Sequence, residues 1–99
     1  MAKLKIIEIT TPTCGICKSL APMVDKVVSI HGDSVVFEKY EVDWDDPLVK
    51  QYTISSVPFF IFLNEETGEE YMQHRGPVSF NVLNQHIVES KSKAQMNEL

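Results

Sequence analysis

Apolar positions dominate residues 3–10: Ile7 and Ile9 share one face of an extended chain, and Leu4, Ile6 and Glu8 share the other. A strand apolar on both faces belongs in the middle of a sheet covered on both sides. Thr11-Pro12-Thr13 interrupts it, and the period changes. Ile16, Leu20, Val24, Val27 and Val28 recur at three- and four-residue steps, which predicts an amphipathic helix opening at or near Cys14. Pro22 inside that pattern predicts a kink, and His31-Gly32-Asp33 supplies a C-terminal stop. A second strand is predicted over 35–43. Asp45-Asp46-Pro47 then opens a short helix reaching Tyr52, with acids where the helix dipole favours them. Val57-Pro58 begins a nearly all-apolar strand through Leu63, Asn64 to Gly68 makes a turn, and a fourth strand over 69–75 completes a hairpin. Ser79 is a candidate N-cap for a final helix over 79–92 with Phe80, Leu83, Ile87 and Val88 inward. Lys93 to Leu99 is expected to fray.

The predicted order is βαβαββα. Helices separate the first strands, which are therefore expected to be parallel, and the hairpin adds an antiparallel edge. The fold class is α/β, a four-stranded mixed sheet with helices on both faces. No repeat, low-complexity tract or Gly/Ser-rich linker divides residues 1–99, so a single domain is expected.

Composition fits an ordinary globular protein, with 43% hydrophobic and 23% charged residues. Nine Lys and Arg stand against fourteen Asp and Glu, a net charge of -5, which argues against nucleic-acid phosphates and anionic membrane surfaces as partners. No apolar stretch approaches the ~20 residues of a membrane span, and Glu8 breaks the apolar run a secretory leader would need. A soluble, monomeric, cytoplasmic protein is expected. The acidic runs (Asp43, Asp45, Asp46 and Glu65, Glu66, Glu69, Glu70) read as solvated turns and a guard for an edge strand.

The two cysteines sit together in Cys14-Gly15-Ile16-Cys17. Outside an oxidising compartment such a pair is more often redox-active or metal-binding than structural. Cys14 lies where a central strand feeds a helix, and the unpaired N–H groups and dipole there favour a thiolate. Cys14 is therefore the expected nucleophile. Cys17, one turn inward on the same side, is placed to attack a mixed disulfide formed at Cys14 and release the reduced substrate. A zinc site would need four ligands, and only His31, His74 and His86 could join the pair, none at a short ligand spacing from another. Two inert core cysteines fit poorly with a turn-forming Gly15 and an opening helix. The three histidines read as surface or partly packed residues.

The run Thr13-Cys14-Gly15-Ile16-Cys17-Lys18 with Leu20-Ala21-Pro22-Met23 resembles the W-C-G-P-C-K…APxL signature of thioredoxins. Val57-Pro58 at the head of an apolar strand is similar to the dipeptide whose proline is cis in that family. Val42-Asp43 after the second strand and Arg75-Gly76 after the hairpin match as well. The resemblance covers essentially the whole chain, apart from an N-terminal strand and helix of full-length members. It implies a minimal thioredoxin fold. It also implies a thiol–disulfide oxidoreductase with no bound cofactor, acting on disulfide-containing proteins with electrons from a partner reductase or small thiol.

The departures bear on specificity. Ile16 replaces the proline between the cysteines, a position that tunes redox potential in the family. Thr13 replaces a tryptophan, which strips apolar area from the substrate face and points to a different set of partners. Glu8, expected to be buried by its apolar neighbours, matches the family's buried aspartate, and the resemblance makes it a proton relay for Cys17. Lys39 on the adjacent strand matches the lysine that pairs with that acid. Pro58, by the same resemblance, is cis and sets the backbone of Val57 beside Cys14, where it can pair with an extended substrate segment. Gly76-Pro77 would form the third loop of that surface. Two rival readings accompany this one. The chain could be a thioredoxin-like binding or adaptor module with little turnover, or a glutaredoxin-like, glutathione-linked enzyme. Against the latter, no Gly-Gly pair precedes the last helix.

Overall fold

Both faces of the first strand are apolar, and it takes a central place in the sheet. In the computed structural model, which describes residues 3–96, the elements are β1 (Leu4–Thr10), α1 (Gly15–His31), a 3-10 turn (Gly32–Ser34), β2 (Val35–Glu41), α2 (Pro47–Gln51), β3 (Phe59–Asn64), β4 (Glu70–Arg75) and α3 (Phe80–Met96). The strands form one mixed sheet in the order β2-β1-β3-β4. β2 runs parallel to β1, with Glu8 opposite Lys39. β3 runs antiparallel to β1, with Ile9 opposite Phe59, and β4 runs antiparallel to β3.

The direction of β3 corrects the sequence expectation. A helix lies between β2 and β3, but α2 has five residues and rises only about 7.5 Å. That cannot carry the chain back along a strand of about 20 Å. The connection instead crosses at the carboxyl end of β1 and β2, and β3 enters the sheet from there.

The alternation in β1 divides the core in two. Leu4 and Ile6 pack with Val24 and Val27 of α1, Phe60 and Phe62 of β3, and Leu83 and Ile87 of α3. Ile9 on the other face packs with Phe59 and Ile61, closed over by Leu48 and Tyr52 from the α2 segment. Phe59, Phe60, Ile61 and Phe62 are all fully buried, each stabilising the fold by about 1.5–3 kcal/mol. β3 is apolar from Phe59 to Leu63 because both of its faces are covered.

The helix ends are capped as their sequences require. Ser79 Oγ accepts the Val82 N–H at 3.2 Å, Asp46 Oδ1 accepts that of Leu48 at 2.9 Å, and Gly32 closes α1 at a φ of +59°. α1 continues through Pro22, whose ring is exposed. The inward assignment of Val88 fails, at 52% exposed, and Ile16, the first position of the helical pattern, is 46% exposed. Ile16 stands in the first turn, ahead of the sheet that covers the later turns. The expected fray of the C-terminus is also corrected within the described residues. α3 runs to Met96 and buries Ser90 and Ala94, so Lys93 is helical; residues 97–99 lie outside the described part.

Candidate redox site

β1 delivers the cysteine turn to one end of the sheet. Thr10 and Thr11 are still buried, Pro12 and Thr13 turn outward, and the Cys14 N–H donates to the Thr11 carbonyl at 3.1 Å. Cys14 is the N-cap of α1, with φ -79° and ψ 93°. Its Sγ accepts the Cys17 N–H at 3.1 Å, the place an N-cap side chain takes on an otherwise unpaired donor. Cys14 and Cys17 form a disulfide, their Cα atoms 5.3 Å apart. The pair is unequal: Cys14 retains 8% of its surface and Cys17 3%. Thr13, Gly15 and Ile16 form an exposed rim around Cys14. A cleft of about 350 Å³ opens beside the sulfurs, bordered by Thr11, Lys18, Ala21, Lys39 and Glu41.

Glu8 lies beneath this site. It is fully buried, on the face of β1 that α1 covers, and neither carboxylate oxygen has a hydrogen-bond partner. Burial holds its carboxyl above the ordinary carboxylate range. The Lys39 ammonium across the strand pair opposes that shift, and the Asp25 carboxylate on α1 adds to it. Lys39 itself is exposed and faces the cleft.

The Val57–Pro58 peptide bond is cis, and the Pro58 carbonyl accepts the Gly76 N–H at 2.8 Å. Phe59 is paired both with Ile9 and with Arg75, so residues 57–58 and Gly76 lie at the end of the sheet where β1 enters the cysteine turn. Gly76 is buried at a φ of +89°, open to glycine and rarely to other residues. The cysteine turn, the Val57-Pro58 loop and the Gly76 loop thus share one end of the molecule.

Two residues named in the sequence reading, Arg75 and His74, support this end in a way that reading did not foresee. Arg75 spreads its guanidinium over the Phe59 ring at 4.8 Å and donates to the carbonyls of Thr53 and Tyr52 at 3.0 and 3.1 Å. His74 donates from Nε2 to the Pro77 carbonyl at 3.0 Å. The available signal was position: both residues end the strand that leads into Gly76. Among the described residues, no group of three or more His, Cys, Asp or Glu side chains is placed to hold a metal ion. None of the described helices is long and apolar enough to cross a membrane.

The Thioredoxin family profile matches residues 1–89. The chain belongs to the thioredoxin family. Among curated thioredoxins it is 34% identical over 61 residues to Thioredoxin-T of Drosophila melanogaster, covering 62% of this chain and 39% of that one. With Thioredoxin-1 of Caenorhabditis elegans the identity is 32% over 71 residues, 72% of this chain and 61% of the other. Protein disulfide isomerase-like 2-2 of Oryza sativa subsp. japonica is 33% identical over 70 residues, 67% of this chain but 19% of its own length. The chain spans less than two thirds of each of these relatives. Fasciola hepatica thioredoxin shares the fold at a TM-score of 0.75 and 24% identity, with 89% of this chain and 81% of that one covered. The germline-specific thioredoxin Deadhead of Drosophila has the same TM-score at 23% identity, covering 88% and 80%. The thioredoxin fold and a CxxC redox-type disulfide together support thiol–disulfide oxidoreductase chemistry.

Proposed function

We propose that this protein is a thiol–disulfide oxidoreductase that reduces disulfides in other proteins, working in the cytoplasm as a monomer. In the reduced form the Cys14 thiolate attacks one sulfur of a substrate disulfide, forming a mixed disulfide and releasing the other sulfur as a thiolate. The Cys17 thiolate then attacks Cys14 Sγ, the intramolecular disulfide closes, and the substrate leaves as a dithiol. Two electrons pass to the substrate, and a partner reductase or a small thiol is oxidised to restore the pair. No bound cofactor takes part.

The observation that carries this reading is the asymmetry of the two sulfurs. Cys14 is the more accessible and its Sγ already accepts a backbone N–H at the head of α1, an environment that favours the thiolate. Cys17 is enclosed, as suits a resolving thiol. Glu8, kept protonatable by burial, takes the Cys17 proton as the second attack begins, and Lys39 favours the carboxylate that receives it. Val57 offers its backbone to an extended substrate strand. Pro58 and Gly76 set that backbone, and Thr13, Gly15 and Ile16 form the rim that selects partners.

A redox titration of the pair in defined dithiol buffers, read by the mass added on alkylation, tests the assignment. A single two-electron transition at or below the cytosolic glutathione poise of about -220 to -260 mV is expected. Cys14→Ser should abolish insulin reduction, and Cys17→Ser should trap a mixed disulfide at Cys14. A much higher potential would make the protein an oxidant or isomerase. Thiols that never close on each other would leave a binding module in its place.

A further inference from the structure

We propose that His74 and His86 form a proton-sensitive brace, with His74 as a positioning residue for the Gly76–Pro77 loop of the substrate face. The inference rests on reading that end of the sheet as the substrate face. His74 is the penultimate residue of β4 and His86 lies on α3, twelve residues further along the chain, with His86 Nε2 and His74 Nδ1 3.2 Å apart. The direction of each bond follows from what each atom can do. The Pro77 carbonyl can only accept, so His74 Nε2 carries the proton at 3.0 Å. In a neutral imidazole the other nitrogen is then an acceptor, so the hydrogen between the rings belongs to His86 Nε2. His86 Nδ1 is left bare, and it is buried without a partner.

A directed chain results, from His86 on α3 through His74 to the Pro77 carbonyl. The neighbouring Gly76 N–H holds the Pro58 carbonyl at 2.8 Å, so the chain fixes both ends of the loop pair. It needs a bare nitrogen at His74 Nδ1, and it packs His86 Nδ1 where an added proton finds no acceptor. A proton on His74 Nδ1 would set two N–H groups against each other. A proton on His86 Nδ1 would leave both bonds in place but bury an N–H that nothing accepts, so the imidazolium has to turn out of its packing to reach water.

The groups around the pair agree. Burial and His74 hold the His86 imidazole below its ordinary value, and the Glu89 carboxylate on α3 is the charged group that opposes them. From β3 two rings lie against the pair, Phe60 against His74 and Phe62 against His86. The brace is therefore intact at neutral pH and is released as the pH falls below the usual imidazole range, loosening the loop that receives substrate.

Long-range proton–nitrogen spectra of the labelled protein from pH 7.5 to pH 5 test this directly. Both rings are expected as Nε2–H tautomers, with the Gly76 amide shifting at the same midpoint as His86. A Nδ1–H tautomer at either ring, or a Gly76 amide that stays fixed while His86 titrates, overturns the brace. Kinetics give the second readout. The KM for insulin should rise about two- to tenfold between pH 7.5 and pH 5.5, the worth of one hydrogen bond, while reduction of the Cys14–Cys17 disulfide by a small phosphine does not follow it. His86→Gln keeps a donor but does not titrate, and should flatten that rise. An equal rise in the variant overturns the proposal. Absence of insulin reduction at every pH would refute the reductase reading instead, and the spectra would still decide the brace.

Discussion

Glu8→Leu is expected to make the protein more stable while slowing its turnover. In the native fold the Glu8 side chain is fully buried and neither oxygen has a hydrogen-bond partner. A buried polar group left unsatisfied costs about 1–3 kcal/mol, and apolar replacement of such groups at similar volume is often stabilising. The attraction of Lys39 is lost, but Lys39 is exposed and its field is screened by solvent. The net gain should be about 1–3 kcal/mol, at about 4–8 °C in Tm per kcal/mol for a domain of this size. The pH dependence has a definite sign. A carboxyl raised above its unfolded value keeps its proton in the folded state after the unfolded chain has lost it. Stability from this group is therefore present at acid pH, declines as the pH rises from about 4.5 through the folded value, and is then level. Calorimetry of wild type, Glu8→Leu and Glu8→Gln from pH 4 to pH 8 isolates that slope, since both variants lack it and all other groups cancel in the difference. A lower Tm for Glu8→Leu at pH 7, or identical slopes in all three proteins, would refute the reasoning. If Glu8 also moves the Cys17 proton, both variants should accumulate the mixed disulfide at Cys14.

Two further predictions concern the frame around the site. Gly76→Ala introduces a Cβ that meets nothing within 4 Å, so its cost is conformational, about 1–2 kcal/mol for a φ of +89°; chemical denaturation should show that loss with a raised KM for protein substrates and an unchanged m-value. Ending the chain after Lys93 removes the buried Ala94 and should cost about 1 kcal/mol, whereas a frayed tail would make the truncation silent in the same denaturation assay.

Much of this architecture was legible because local pattern and global fold agree. The two-faced apolarity of residues 4–9 placed β1 in the middle of the sheet and Glu8 inside it. Cys14 at a strand-to-helix junction gave the site, and Ser79 and Gly32 marked helix ends through the atoms each offers or lacks. The direction of β3 was not legible, because parallel return depends on the reach of α2 rather than on its presence. Ile16 fits the helical period but stands ahead of the sheet, so periodicity alone could not show it facing solvent. Val88 lies at the border of an apolar stripe, where one step of rotation decides burial. The His74–His86 pair was invisible for another reason. One residue sits on a strand and the other on a helix, and only their packing sets a nitrogen of each ring 3.2 Å apart.

The position of β3 has a consequence for how the chain can fail. Phe59–Asn64 is six residues without charge or proline, the composition of segments that stack into cross-β fibrils. In the native sheet β1 and β4 occupy both of its edges. The strands left at the rim, β2 and β4, carry Glu38, Lys39 and Glu41 on one side and Glu70 and Arg75 on the other, charges that discourage edge-to-edge growth. Release of β4 from the rim would bare one edge of β3, so self-association should track the population of molecules in which β4 has come away, by local or by global unfolding. Any change that lowers global stability, however far from β3, will surface first as lost solubility.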